Sequence, residues 1–447
     1  MSRTLTSAQQ GRRVAVATFI GSTVEWYDFF IYGTTSALIL NRLFFPEFDP
    51  LVGTLLAFTT FAIGWLARPI GGIIAGHFGD KIGRKSMLVL TMLTMGVATF
   101  VIGLLPTYDS IGVWAAVILL GLRLIQGLAV GGEYGGAVVM ALESAPEGKR
   151  GLWASLPQSG VPFGLFLGTL VFIPIAALPE EQLLSWGWRL PFLLSAILVV
   201  VGLFIRLRVV ESAVFKKAQQ EDNVTRTPAL EVLRHYPGRV LLLMVAHIAP
   251  NTFFYTFATF IIAFAVGTGQ YTGTQVLSAV AIAAAVEVVT IPMFAALSDR
   301  VGRKRVYISG LVALAVITVP FFALVLTGTY WLLILALVVA LSFAHAAVYG
   351  PQASFFAEYF PTRVRYTGLS MGYQIAGAIF GGPLPIIGTA LVAAAAGSPW
   401  IFVIYLVGAA IASIIGASFM TENRDDDLNA IAKPNRRATN PPLAEPV

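Results

Sequence analysis

The chain has 447 residues, 57% of them hydrophobic and 12% charged, with a formal net charge of +6 and a mean hydropathy of +0.79. Soluble domains carry about 25% charged residues, so this composition excludes a soluble enzyme and points to a protein of the lipid bilayer. The absence of Cys removes disulfides, thiolate metal sites and Cys nucleophiles.

A membrane-spanning helix needs ~20 apolar residues. Twelve such runs follow one another, at 14–40, 51–77, 86–105, 111–141, 152–176, 188–207, 239–268, 274–297, 306–326, 330–356, 366–393 and 399–420. No strand pattern intrudes, so the expected fold is all-α, a polytopic membrane protein. The first run is too long for a signal-peptide core and is expected to stay as helix 1. It carries Glu25 and Asp28 three residues apart and therefore on one face. At ~1.5 Å per residue, Glu25 lies ~17 Å into the helix. Among the aromatics around it, Tyr27 and Tyr32 are the candidate ligands.

The fourth run, which contains WAAVILLGLRLIQGLAVGGEYGG, holds Arg123 deep among apolar residues. An ionised Arg there costs about 2.5–3.5 kcal/mol on insertion scales, so it must face a partner or a polar cavity. Gly127, Gly131 and Gly135 recur every four residues, which lets a neighbouring backbone come close. Gln126, about one turn from Arg123, suits a hydroxyl or carboxylate. Glu133 sits on a different face and reads either as a proton-coupling acid or as a packing hydrogen bond. Arg123 is the cation placed mid-membrane. One carboxylate on a small hydroxyl-bearing or zwitterionic body therefore fits better than a tricarboxylate.

The second half offers scattered polar residues. Helix 7 has His247, Asn251 and Tyr255 on one face, helix 10 has His345 and Tyr349, and helix 8 has the isolated acid Glu287. Gln158 and Gln374 are further cavity candidates. Each is a ligand or proton carrier on one reading and a satisfied packing residue on the other. Two His without a partner carboxylate at ligand spacing make no metal site, and no cofactor is implied.

The halves repeat. GHFGDKIGRK after helix 2 matches AALSDRVGRK after helix 8, aligning Asp80 with Asp299 and Arg84 with Arg303. ESAPEGKRGLWAS after helix 4 matches EYFPTRVRYTGLS after helix 10, aligning Glu143 with Glu358 and Arg150 with Arg365. Such duplication marks secondary transporters, with substrate bound near the midplane where the halves meet. The expected division is an N-terminal six-helix half at 1–208, a polar linker at 209–236, a C-terminal six-helix half at 237–421 and a disordered tail at 422–447.

Of the 29 Lys and Arg, all but Arg42, Arg68, Arg123 and Arg189 fall in the termini, the linker and the turns on the linker side. The positive-inside rule then puts both termini in the cytoplasm. Basic charge here orients helices and implies no nucleic acid partner.

The G-x-x-x-D-K-x-G-R-K turn between helices 2 and 3 resembles the signature of the major facilitator superfamily. EWYDFFIYG (25–33), ARPIGGIIAGHFGDKIGRK (67–85) and RLIQGLAVGGEYGGA (123–137) are similar to its metabolite:proton symporter family, whose members carry shikimate, 2-oxoglutarate, citrate, or proline and betaine. SWGWRLPF (185–192) and VYISG (306–310) lean toward the shikimate-like branch. The resemblance runs from Gly11 to about Met420.

It implies a cavity lined by helices 1, 4, 7 and 10, where Glu25 and Arg123 share one chamber. It also implies a latch on the cytoplasmic side, formed by Asp80 and Arg84 and repeated by Asp299 and Arg303. A buried carboxyl is hard to ionise, and a nearby Arg offsets that. Cargo that takes the Arg therefore favours protonation of the acid. The expected function is uptake of a small organic acid with protons across the cytoplasmic membrane, by a monomer in lipid. Glu25, Asp28 and Glu133 would carry the proton, and Arg123, Gln126, Tyr32, Asn251, Tyr255 and His345 the cargo. The rival readings are a proton-driven exporter, hinted at by Gly160-Val-Pro162-Phe-Gly164, a proline/betaine symporter, and a membrane receptor or scaffold. An enzyme is not expected, since no nucleophile–base set is present.

Overall fold

The computed structural model describes residues 7–82, 84–208 and 228–424, with side chains except at 7–13, 75–86, 88, 205–208, 228 and 363. Eleven helical runs are long and apolar enough to cross a bilayer, and the helix Arg84–Leu104 supplies the twelfth. In chain order they are α1 Ser7–Leu38, α2 Pro50–Ile82, α3 Arg84–Leu104, α4 Trp114–Glu143, α5 Arg150–Ala176 and α6 Leu190–Arg208, then α7 Pro237–Gly267, α8 Gly273–Val301, α9 Arg303–Val325, α10 Tyr330–Glu358, α11 Arg365–Ala394 and α12 Trp400–Phe419. The expected runs and the observed helices agree, because an uninterrupted apolar stretch in lipid has no hydrogen-bonding choice other than helix.

Burial sorts the helices into an inner and an outer set. In the most apolar stretch of each helix, protein buries 72% of α7, 67% of α1 and 61% of α10, but only 39% of α6 and of α9. On the outer helices, Ile197, Val200 and Phe204 of α6 and Val312, Val316 and Val319 of α9 point outward, the side a bilayer would cover. Inside, aromatic side chains of α1, α2, α7 and α10 fill the centre.

Close approach of backbones fixes the inner geometry. A side chain at Gly127 would come within 2.8 Å of Ala67 Cβ, and one at Gly131 within 2.9 Å of the Gly71 carbonyl carbon, so these two glycines seat α4 on α2. Gly135, next in the series, faces Ser370 and Tyr366 of α11 instead. The helix itself breaks at Gly131–Gly132, between Trp114–Val130 and Glu133–Glu143. Gly160 and Gly164, the exporter hint, seat α5 on α1: a methyl at Gly164 would meet Tyr27 N at 2.7 Å. α5 packs along α1 on one side and along α8 on the other, so it touches both halves over its length.

Wide π-turns interrupt α7 at Thr256–Phe260, α10 at Val338–His345 and α11 at Gly377–Gly381. Such turns re-aim side chains and recur at functional sites. The linker is outside the described residues up to 227, and its end forms the short helix Pro228–His235. The expectation of a disordered tail from 422 needs correction at its start, since Glu422, Asn423 and Arg424 are docked, as described below.

Candidate functional site

Arg123 is 1% exposed and fully engaged. It donates from Nη1 to Gln126 Oε1 (2.8 Å), from Nη2 to the Phe61 carbonyl (3.4 Å) and from Nε to the Thr60 carbonyl (3.5 Å). Its guanidinium carbon lies 3.8 Å from the Tyr32 ring centroid, and Tyr32 in turn hydrogen bonds Thr60 Oγ1. Space for the head group exists because position 64 is Gly; a Cβ there would stand 3.1 Å from the guanidinium carbon. Gln126 then donates from Nε2 to Thr99 Oγ1 (2.7 Å), and Thr99 lies 2.9 Å from Asp28 Oδ2. Asp28 is thereby joined to Arg123 through two neutral side chains, and its Oδ1 has no partner.

The sequence reading put Glu25 and Arg123 in one chamber. None of the hydrogen bonds of Arg123 goes to Glu25. Arg68, on the wall of the same cavity as Arg123, is a second cation that the reading left out of the site. Arg68 is 2% exposed, as deep as Arg123. Its guanidinium carbon sits 3.8 Å from the Trp65 ring, 4.7 Å from Phe29 and 5.2 Å from Trp26. No hydrogen bond from it is found among the described residues, and its Nε is buried without a partner. A desolvated cation–π contact is worth about 2 kcal/mol, whereas burying an ion costs several. The rings therefore offset the cost in part, and Arg68 remains short of an acceptor.

Two small cavities, each with room for about one water molecule, lie in this region. One is lined by Arg68, Arg123, Gln126, Phe29 and Met95. The other, the larger in outline, lies between the halves and is lined by Trp26 of α1, Val161 of α5, His247, Asn251 and Tyr255 of α7, Tyr349 of α10 and Tyr373 of α11. Asn251 and Tyr255 thus face a cavity, as their spacing implied, while Tyr32 and Gln126 serve Arg123. His345 is taken up by Glu287, its Nδ1 2.7 Å from Glu287 Oε1, with both side chains fully buried. Glu133 accepts from Thr91 Oγ1 (2.8 Å) and acts weakly on Arg68. The reading missed Tyr134, whose ring stacks on Tyr373 at 3.6 Å and links α4 to α11; a lone Tyr beside Gly-Gly carries no signal of this.

On the linker face the halves are tied together. Asp299 accepts from the backbone N–H of Gly151 (2.8 Å) and of Leu152 (2.9 Å), capping the start of α5 from the other half, and from Arg303 Nη1 (2.5 Å). An acid at a helix N-terminus is favoured by the helix dipole. Arg303 also pairs with Glu358 at 3.2 Å. Nearby, Tyr366 donates to the Gly132 carbonyl (2.8 Å), and Gln374 Nε2 to that of Gly131 (3.0 Å). Glu422 accepts from the Arg303 backbone N–H (2.5 Å), Asn423 donates to the Glu358 carbonyl (3.0 Å), and Arg424 donates to that of Arg300 (3.2 Å). Asp80 and Arg84, the other half of the expected latch, lie outside the described side chains.

Twelve helices in two six-helix halves, meeting around buried charge, define a membrane transporter. Residues 14–237 match the sugar (and other) transporter family and residues 248–445 the Major Facilitator Superfamily. The shikimate transporter of Escherichia coli K12 is 40% identical over 94% of this chain and 96% of its own. A glycine betaine/proline/ectoine/pipecolic acid transporter of Dickeya dadantii is 34% identical over 93% of this chain and 84% of its own. Among solved structures, a D-xylose–proton symporter superposes with a TM-score of 0.70 at 19% identity, over 92% of this chain and 98% of that one. The chain belongs to the major facilitator superfamily and is a multi-pass membrane transporter, within the branch of metabolite and proline/betaine carriers.

Proposed function

We propose that this transporter takes up a small organic acid, shikimate or a short carboxylate, together with protons, across the cytoplasmic membrane with both termini inside. The observation that carries the reading is Arg68: a buried guanidinium short of hydrogen-bond acceptors, on the wall of a cavity it shares with Arg123, with Glu25 taken as the acid that answers to it. A cargo carboxylate supplies the missing acceptor and relieves Glu25 of the cation, which favours a proton on Glu25. Arg123, Gln126 and Tyr32 hold the floor of the site, Asp28 is the acid coupled to that floor, and Glu133 lies on its far side. Asn251 and Tyr255 meet the body of the cargo. Alternating access then moves the halves about α5, with the Asp299–Arg303 contacts making and breaking on the linker face. The 40% identity to a shikimate transporter supports this substrate class.

The test is uptake of labelled shikimate into vesicles holding the purified protein, under an inward proton gradient. Accumulation should collapse with a protonophore and in Arg68→Ala. Uptake indifferent to the protonophore defeats the proposal. A second reading, a betaine or proline carrier, is favoured by the aromatic lining of the larger cavity, since aromatic faces attract quaternary ammonium groups. Competition of glycine betaine with shikimate distinguishes them.

A further inference from the structure

The mechanism above leaves one buried titratable cluster unused. Glu287 of α8 and His345 of α10 are each 0% exposed and meet at 2.7 Å through Oε1 and Nδ1. Glu287 Oε2 and His345 Nε2 have no partner. His345 ends the π-turn of α10, and its ring lies 5.2 Å from that of Phe254 and 5.2 Å from that of Tyr349. Both of those rings line the larger cavity. We propose that Glu287 and His345 form a second proton-carrying site, in the C-terminal half, that binds and releases one proton beside the cargo cavity; this rests on the transport reading above.

Charge accounting supports it. A neutral imidazole donating from Nδ1 to an ionised Glu287 leaves the pair at −1. One more proton, on Nε2 or on Oε2, brings it to zero, and those are the two atoms without partners. Burying a net charge costs several kcal/mol, so the neutral, loaded pair is the favoured occupant of a closed protein. Unloading requires water at one of those atoms, which is what opening of the halves provides. A cargo anion in the adjacent cavity opposes the −1 state further, so proton and anion are held together and released together.

The surroundings leave the pair to itself. His345 is the group that acts electrostatically on Glu287. The titratable groups nearest the pair are Tyr349 of α10, whose ring lies against that of His345, His247 of α7 and, through its hydroxyl 3.4 Å from that of Tyr349, Tyr373 of α11. From α5 comes only Gln158, donating to the Tyr349 carbonyl at 3.0 Å. On α9, Tyr307 donates to the Ala246 carbonyl (2.8 Å). Among the described residues, neither guanidinium of the first half acts on Glu287.

Two measurements test this. Infrared difference spectra of the purified protein between acidic and alkaline buffer read the pair without any cargo: a titrating carboxyl band should vanish in Glu287→Gln and shift in His345→Asn. Spectra of Glu287→Gln identical to those of the parent protein overturn the proposal, whatever the cargo proves to be. In vesicles, Glu287→Gln should lower gradient-driven shikimate accumulation by at least about tenfold while exchange of labelled for unlabelled shikimate continues. Equal loss of both activities in a monodisperse Glu287→Gln protein assigns the pair a packing role and also overturns it. Failure of the parent protein to carry shikimate sinks the substrate reading and leaves the infrared result to decide this one.

Discussion

The two halves share a fold and handle buried charge in opposite ways. The first half buries two guanidinium groups within one cavity wall: Arg123, satisfied by Gln126, Thr60 and Phe61, and Arg68, held by rings alone. The core of the second half holds a carboxyl and an imidazole that meet at 2.7 Å, plus tyrosines. Its buried Arg side chains among the described residues, Arg303 and Arg365, lie instead at the linker-face ends of α9 and α11. On the transport reading proposed above, the satisfied Arg123 is scaffold and Arg68, short of acceptors, is the site, although both are buried.

Substitution should separate those roles. Arg68→Ala is expected to cost about 2–5 kcal/mol of cargo binding, a loss of thirtyfold or more in uptake. It should leave the melting temperature level or raised, because it removes a buried charge short of partners. Arg123→Ala should lower the melting temperature, at a cost of about 3–5 kcal/mol, by stranding Gln126 and the chain to Asp28. If both variants melt alike, the contrast drawn here is wrong.

Smaller effects probe the seams. Asp299→Asn weakens the cap on α5 and the pair with Arg303, by about 1–2 kcal/mol. The chain has no Cys, so a single Ser370→Cys reports opening of the linker face by its rate of thiol labelling. That rate should rise about tenfold in Asp299→Asn, and an unchanged rate denies the latch. Thr99→Val cuts the link between Gln126 and Asp28. It should lower gradient-driven uptake about fivefold, the worth of roughly one hydrogen bond.

Much of this was legible beforehand. Apolar runs gave the helices within a few residues, since lipid leaves the backbone no alternative. Arg123, Gln126 and Asp28 each stood out as a polar residue within an apolar run, but their joining through Thr99 carried no sequence signal. Arg68 was set apart from the loop cations but left out of the site, because nothing in the sequence around Pro69 shows which way it faces. With α2 running from Pro50 to Ile82, it lies ~21 Å from the Ile82 end. The Glu287–His345 pair was invisible as a pair: the two residues are 58 apart in sequence, and the π-turn that aims His345 leaves no local pattern.

The docking of Glu422, Asn423 and Arg424 onto Gly302–Arg303, Glu358 and Arg300 bears on how the carrier is made. Those three residues leave the ribosome after every membrane span, yet they brace the face where the halves are tied. A nascent carrier therefore stays unfastened on that face until its last helix is inserted. Ending the chain at Met420 should yield an inserted protein whose linker side never fully shuts, read as faster labelling of the same Ser370→Cys.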